Sequence, residues 1–406
     1  MKDTITVTFQ ETGNVTSPSG FQASGVAAAI KKPGRLDMAL IYSEKPCNAA
    51  AVYTTNKVQA APLTVTREHI AAGALRAVVI NAGNANACTG EQGLENARTM
   101  ATKAGIALGL KAQEVAVSST GVIGQQMPME RIVAGIEKLS QSLSNEGYQA
   151  AEAIMTTDLV PKTGKVELSI GEQKITIGAM AKGSGMIHPN MATMLAFYTT
   201  DAKISKPLLE KAMKKATKVS YNMISVDGDT STNDMALILA NGTSLAPAIE
   251  AEGPLYDAFE KGLIELSVHL AKAIARDGEG ATKLVGVHVK GAKTEEDAQK
   301  AARTVISSSL FKSAIFGADA NWGRILCAIG YSGADFDPST VDIYLGDIQT
   351  ARDGEALDFS EEKAVSILSQ REVTITADLK NGQAEARAWG CDLTYEYVKI
   401  NADYRT

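Results

Sequence analysis

Thr193 follows the small Ala192 and heads the apolar run Met194-Leu195-Ala196-Phe197-Tyr198. Just upstream, Lys182-Gly183-Ser184-Gly185 and His188-Pro189-Asn190 carry the turn-forming residues of a tight loop. A hydroxyl so placed can attack the carbonyl of the residue before it once the loop bends that peptide. Hydrolysis of the resulting ester would free the Thr193 amine. An α-amine, with an ordinary pKa of about 7.7–8.0, is a ready general base for its own hydroxyl. The plain alternative is a strand that happens to begin with threonine.

A second group of residues suits the same chemistry. Val115-Ala-Val117 runs into Ser118-Ser119-Thr120-Gly121. Acyl transfer needs donors aimed at the oxygen that turns negative in the tetrahedral intermediate. A hydroxyl and a backbone N–H at a strand-to-loop junction supply them, although such a cluster is also an ordinary turn. Lys182 offers a point charge on a flexible stem, suited to a carboxylate. Glu279 stands between Gly278 and Gly280. Packing gives little reason for an acid there, and an ammonium group would.

Other chemistries fit less well. Asp227-Gly-Asp-Thr-Ser-Thr-Asn-Asp234 is rich in oxygen side chains, but it lacks the acidic residue at position twelve that a calcium loop requires. It is expected to be structural, with no metal. Cys47, Cys88, Cys327 and Cys391 form no CxxC, and the four histidines form no HExxH. Gly183-Ser-Gly-Met-Ile-His188 lacks the third glycine of a dinucleotide-binding loop. His188 reads as a residue that orders its loop.

The elements that must position these groups are legible as alternating strands and helices. Met194–Tyr198, Met235–Ala240 and Leu284–Val289 read as strands, and Val166–Ile170 with Lys174–Ile177 as a hairpin turning at Gly171-Glu172. Helices are expected from about Glu91 to Leu108, Pro128 to Ser144, Leu208 to Lys218, Leu255 to Asp277 and Thr294 to Ser308. Thr294 would cap the last of these. Ala384–Ile400 reads as one long final strand. The chain has 406 residues, 45% of them hydrophobic, and a net charge of −6. That is ample for a large core, and mild acidity argues against nucleic acid. The N-terminus lacks an apolar signal region and no stretch is long enough to span a membrane. A cytoplasmic protein is expected.

Lys182-Gly-Ser-Gly-Met-Ile-His-Pro-Asn-Met-Ala-Thr-Met-Leu195 resembles the signature of the ornithine acetyltransferase family, also called the bifunctional glutamate N-acetyltransferase family, of arginine biosynthesis. The resemblance extends from Gly20 to Thr406. It includes Asn81-Ala-Gly-Asn-Ala-Asn86, Thr156-Thr157-Asp158, Asp227–Asp234, Arg276-Asp-Gly-Glu279 and the C-terminal Asn401–Thr406.

That resemblance implies a layered α/β/β/α core with a smaller C-terminal α/β domain. It implies self-cleavage between Ala192 and Thr193 into an alpha chain, 1–192, and a beta chain, 193–406, which stay associated, with two of each in a heterotetramer. Thr193 would be the nucleophile, and Thr120 and Gly121 the oxyanion hole. Thr157, Lys182, Glu279, Asn401 and Thr406 would contact substrate. The implied reaction moves an acetyl group from N-acetylornithine to glutamate through an acetyl-Thr193 ester. No cofactor is implied, and acetyl-CoA is a candidate co-substrate. The alternative on the same scaffold is an amidase or aminopeptidase that gives the acyl group to water.

Overall fold

The computed structural model of the protein describes residues 5–32, 34–188 and 194–403. In chain order the strands are β1 (Ile5–Gln10), β2 (Phe21–Val26), β3 (Met38–Tyr53), β4 (Leu75–Asn84), β5 (Val115–Val122), β6 (Lys162–Ile170), β7 (Gln173–Lys182), β8 (Leu195–Thr200), β9 (Ile224–Ser225), β10 (Met235–Ala240), β11 (Leu284–Ala292), β12 (Asp342–Leu345), β13 (Ile348–Arg352), β14 (Glu355–Ala356), β15 (Glu372–Asp378) and β16 (Ala384–Cys391). The helices are α1 (Ala61–Ala72), α2 (Gly90–Leu108), α3 (Met129–Gln141), α4 (Tyr148–Ala153), α5 (Lys206–Val219), α6 (Pro254–Arg276), α7 (Glu295–Ser307), α8 (Ser309–Phe316), α9 (Trp322–Gly330), α10 (Glu361–Leu368) and α11 (Tyr395–Ala402).

The chain divides into two compact units. The first takes Met1–Gly183, Asn190–Lys218 and Thr230–Leu270; the second takes Ser184–Pro189, Val219–Asp229 and Ala271–Thr406. Each unit draws on both sides of the Ala192–Thr193 link.

In the first unit the strand order is β1-β6-β7-β8-β10-β3-β4-β5, with β2 also on β3. The long β3 belongs to two sheets. Its residues 38–43 pair with β2 and its residues 48–53 with β10. Between these stretches the chain carries Ser43-Glu-Lys-Pro46, and the register against β4 shifts from Tyr42 to Cys47. A proline is tolerated at such an irregularity because no ladder bond is asked of it. Ile41, Val78, Ile80 and Ala116 from one side share a core with Met180, Phe197, Leu237 and Leu239 from the other. This is face-to-face sheet packing. On the outer face of β4 and β5, Val79, Val115 and Val117 pack with Met100 and Ala104 of α2 and Ile136 of α3. On β6 and β8 the outer layer is α6, where the Tyr198 phenol meets Ser267 Oγ at 2.8 Å. A Cβ at Gly262 would lie 2.8 Å from Val166. The unit is therefore an α/β/β/α stack.

The second unit is built on a sheet of order β14-β13-β12-β15-β11-β16-β9. Val285, Val287 and Val289 of β11 point to a core filled by Ala298, Ala302 and Ile306 of α7 and Ile325 and Ile329 of α9. The Thr294 side chain caps α7, as its spacing predicts, by accepting the Asp297 amide at 3.1 Å.

The expected long final strand is not one element. β16 stops at Cys391, and α11 follows. Asp392 draws the chain out of the ladder by accepting from the Thr282 and Lys283 amides at 2.8 and 3.0 Å. Thr394 then caps α11 by accepting from the Tyr397 amide, and it donates to Gly280 O at 2.7 Å. A capped helix start outweighs the strand preference of Tyr395, Tyr397 and Val398. The four cysteines are free thiols. No helix among the described residues is long and apolar enough to cross a membrane.

Candidate active site

Two of the expected groups meet in the first unit. β5 pairs with β4 in parallel, and Gly121 comes opposite Gly83 where the register slips. Gly121 has φ +133°, and a Cβ there would stand 2.3 Å from the Gly83 carbonyl carbon. Only glycine allows the strands to close this way. The strand continues to Val122, so Thr120 and Gly121 sit inside its bulged end rather than in the loop after it. Ser119 beside them donates its hydroxyl to Asn81 Oδ1 at 2.6 Å, and Asn81 donates to Asn84 O at 2.9 Å. Asn81 thus ties Ser119, the residue before Thr120, to the asparagine-rich loop.

Lys182 is the last residue of β7 and is largely buried. Its ammonium donates to Thr156 Oγ1 at 2.8 Å and lies 3.5 Å from Thr120 Oγ1. So the structure joins Lys182 to Thr120, and it places Thr156, the neighbour of the expected Thr157, on the ammonium. Thr157 is half-buried in the same turn.

Beneath this lies a buried charge cluster that spacing alone does not reveal. Asp158 Oδ1 accepts from Lys162 Nζ and from the Gly183 amide, each at 2.7 Å. Oδ2 accepts from the Thr156 amide at 3.0 Å and is 4.0 Å from Lys182 Nζ. Burial alone would raise the Asp158 pKa, but Lys182, Lys162 and the Gly183 amide hold it well below the usual carboxylate range. Lys31 donates to Ala153 O and Met155 O at the end of α4, at 3.3 and 2.6 Å. Burial pushes its ammonium down to about 8, and Lys182 adds to the shift. The sequence signal for Lys31 was only a basic turn, Lys31-Lys32-Pro33-Gly34.

The end of the oxygen-rich loop also belongs here. Asn233 Nδ2 donates to Ser119 O at 2.8 Å and Ala85 O at 2.6 Å. Asp234 is buried at the head of β10, and Met235 N donates to Met194 O at 3.1 Å.

The second unit holds the other expected contacts. Glu279 is buried, and Asn401 Nδ2 donates to its Oε2 at 2.8 Å. Gly185 makes room for it, since a Cβ at that position would fall 2.3 to 2.4 Å from the carboxylate. Asp227 accepts from the amides of Met186 and Ile187 at 2.6 and 2.8 Å. With Asp229 N as a third donor at 3.2 Å, this carboxylate organises a loop. Among the described residues no three His, Cys, Asp or Glu side chains are grouped to hold a metal. His188 orders its segment through Ser225 Oγ at 3.1 Å and Ser307 Oγ at 3.3 Å. Burial, with the Arg303 charge, holds it below the usual histidine pKa. Ala192, Thr193 and Thr406 lie outside the described residues.

Residues 22–406 match a profile of the ArgJ family. The arginine biosynthesis bifunctional protein ArgJ of Symbiobacterium thermophilum is 57% identical over 397 residues, covering 97% of this chain and 99% of its own. The protein of the same name from Bacillus subtilis is 50% identical over 396 residues, 97% of each chain. A crystal structure of the bifunctional protein argJ from Bacillus halodurans is 48% identical, with a TM-score of 0.51, over 52% of this chain and 100% of the solved one. Similarity of this degree along nearly its whole length shows that the chain belongs to the ArgJ family, the acetyltransferase enzymes of arginine biosynthesis.

Proposed function

We propose that the protein transfers an acetyl group from N-acetylornithine to glutamate through an ester on Thr193. The chain first cuts itself. The Thr193 hydroxyl adds to the Ala192 carbonyl, the peptide C–N bond breaks, and the hydroxyl proton passes to the released amine. Water then hydrolyses the ester, leaving an Ala192 carboxylate and a free Thr193 amine and hydroxyl.

In the acetylation half-reaction the Thr193 amine takes the hydroxyl proton as the oxygen bonds to the acetyl carbon. Thr120 Oγ1 and the Gly121 amide carry the negative charge on the acetyl oxygen. The amide bond of N-acetylornithine breaks, and the proton leaves on the amine of ornithine. In the second half-reaction the glutamate amine attacks the ester carbonyl, the acyl C–O bond to Thr193 breaks, and a proton of the attacking amine passes by way of the Thr193 amine to the released hydroxyl. Lys182 is assigned the α-carboxylate that both substrates share. Glu279, Asn401, Thr157 and Thr406 are assigned to the rest of the amino acid. No cofactor takes part; acetyl-CoA serves as a second acetyl donor by the same ester. The cut halves assemble as two alpha and two beta chains in the cytoplasm.

The observation that carries this reading is the contact of Lys182 with Thr120, on a strand end that only Gly121 can form. It brings the cation assigned to the substrate beside the hydroxyl assigned to the oxyanion. The Bacillus halodurans structure adds support. Its whole length matches 52% of this chain, close to the share that residues 193–406 would make. Water as the acyl acceptor, the hydrolase alternative, has less behind it, since the relatives at 50 and 57% identity are named bifunctional arginine-biosynthesis proteins.

The test is mass spectrometry of the purified protein incubated with N-acetylornithine alone. Two fragments are expected, the second beginning Thr-Met-Leu-Ala and carrying one acetyl group that glutamate removes. An intact chain that turns over substrate would overturn the reading, and so would release of free acetate that glutamate does not suppress.

A further inference from the structure

The Met155–Thr156 peptide of the first unit is gripped at both ends. Its carbonyl accepts from Lys31 Nζ at 2.6 Å, and its N–H donates to Asp158 Oδ2 at 3.0 Å. The rotation of that peptide is therefore set from two sides. With it is set the direction of the Thr156 hydroxyl, which receives Lys182 Nζ at 2.8 Å. Lys31 reaches this turn from more than a hundred residues away. It also donates to Ala153 O at 3.3 Å and to Leu36 O at 2.7 Å. The ammonium thus has one carbonyl for each of its three protons.

A lysine on the last carbonyls of a helix is an ordinary cap. Two features give this one a wider reach. Its backbone is fixed, because the buried Asp37 carboxylate accepts from the amides of Ala28, Ile30 and Lys31 at 2.6, 2.6 and 3.0 Å. Asp37 O in turn accepts from the Ala82 amide of β4 at 2.8 Å. The Lys31 stem lies against the next residue, Gly83, where a Cβ would stand 3.1 Å from Lys31 Cγ. Gly83 is the residue that comes opposite Gly121. One side chain therefore meets the β4–β5 corner with its methylenes and the Thr156 turn with its ammonium.

We propose that Lys31 is a positioning residue for acetyl transfer, tying the Thr156–Thr157 turn to the β4–β5 corner so that Lys182 meets the substrate carboxylate at a fixed place beside Thr120. The inference rests on the assignment of Lys182 to that carboxylate. Lys31 acts through its two neighbours and not on the reacting atoms. Its hold depends on charge, because a neutral amine has two protons for three carbonyls. The charged groups that face it are Asp37 and Arg35 of its own loop, Lys182 of β7 and Asp158 of the turn after α4. Burial brings the ammonium down to about 8; Asp37 and Asp158 oppose the shift, and Arg35 and Lys182 add to it. The hold therefore loosens as pH rises through that value.

The experiment measures KM and kcat for N-acetylornithine and glutamate on both sides of this value in the wild type, Lys31→Arg and Lys31→Met. Wild-type KM for both substrates should be level below about pH 8 and rise above it. Lys31→Arg keeps a long stem and a charge at every working pH, so its KM values should stay level through the same range. The Thr193 amine and the substrate amines titrate alike in both proteins, so the difference reports Lys31. Lys31→Met keeps the stem and loses the ammonium. It should raise both KM values about tenfold at neutral pH, with kcat and the thermal midpoint close to wild type. Lys31→Ala, which removes the stem as well, should also lower kcat. A merely structural lysine would lower the midpoint and kcat in Lys31→Met and would overturn the proposal, as would wild-type KM values in that variant. If Lys31→Met does not fold, the other two proteins decide, and parallel pH profiles for the wild type and Lys31→Arg overturn the assignment. Lys182→Ala run alongside separates the two ideas. Unchanged KM values there remove the substrate-site reading itself. Impaired ones beside an unaffected Lys31→Met remove only this inference.

Discussion

Lys182 Nζ lies 3.5 Å from Thr120 Oγ1 and 2.8 Å from Thr156 Oγ1. The group assigned to the substrate carboxylate therefore also orients the hydroxyl assigned to the oxyanion. Contacting residues are not energetically independent. Thr120→Ala should lower kcat by about 10²–10³, as loss of an oxyanion donor does elsewhere. Lys182→Ala should impair both half-reactions. The double variant should lose less than the product of the two single losses. Strict multiplicativity in kcat/KM would show that the two groups act separately.

The β4–β5 closure makes a sharper test of the oxyanion corner. Gly121→Ala places a methyl group 2.3 Å from the Gly83 carbonyl carbon on a left-handed backbone. It should cost about 1–3 kcal/mol of stability and most of the activity. Gly124 also has positive φ, at +78°, but nothing lies within 4 Å of a Cβ there. Gly124→Ala should cost about 1 kcal/mol and leave kcat alone. Thermal melts and initial rates on both variants check this. Equal loss of activity in the two would mean that the corner is not special.

Much of this architecture was legible because local signals and tertiary fate agreed. Met235–Ala240 is apolar throughout and became a strand buried on both faces. Thr294 and Asp297 stand three apart and formed the cap that this spacing encodes. The misreading came where local signals point one way and distant partners another. Tyr395–Ile400 reads as strand, yet Asp392 and Thr394 find partners more than a hundred residues away and start a helix. The site divides in the same way. Thr120, Gly121 and Lys182 stand out by type and neighbours. Lys162, Asp158, Asn233 and Asp234 act through partners that the linear chain does not place beside them.

The Asp158 cluster gives a stability prediction with a defined pH dependence. The carboxyl is held below its ordinary value, so the folded form favours its ionised state. That contribution is fully present above the unfolded value of about 3.9 and is lost as pH falls through the lower folded value. Asp158→Asn removes the carboxylate 2.7 Å from the Lys162 ammonium, whose side chain is 1% exposed. The variant should lose about 3–5 kcal/mol at neutral pH. The gap to wild type should hold down to about pH 4 and narrow only below it. Denaturant melts at pH 7, 5 and 3 check the point. A gap already closing between pH 7 and 5 would mean that the pair is not what holds this turn.

Glu279 separates the proposed transferase from any enzyme with a single kind of amino-acid substrate. N-acetylornithine and glutamate share an α-carboxylate, but their side chains carry opposite charges. Glu279 is buried in the second unit and braced by Asn401 Nδ2 at 2.8 Å; in its proposed role it would attract the ornithine ammonium and gain nothing from the glutamate side chain. Glu279→Gln keeps the shape and an acceptor for Asn401 while removing the charge. Hydrogen bonds to charged groups contribute about 1.5–3 kcal/mol, so KM for N-acetylornithine should rise about tenfold or more, with KM for glutamate nearly unchanged. Asn401→Ala should shift the same constant in the same direction but less, because the carboxylate remains and only its brace is gone. Gly185→Ala offers an independent route to the same end. Its methyl group would sit 2.3 to 2.4 Å from the Glu279 carboxylate and must push it aside. It should reproduce the selective loss without touching Glu279 itself. The two half-reactions are followed separately, acetyl-enzyme formation by mass spectrometry and its discharge by added glutamate. Equal losses for both substrates in Glu279→Gln and Gly185→Ala would make Glu279 a structural acid and would move the ornithine ammonium to another partner.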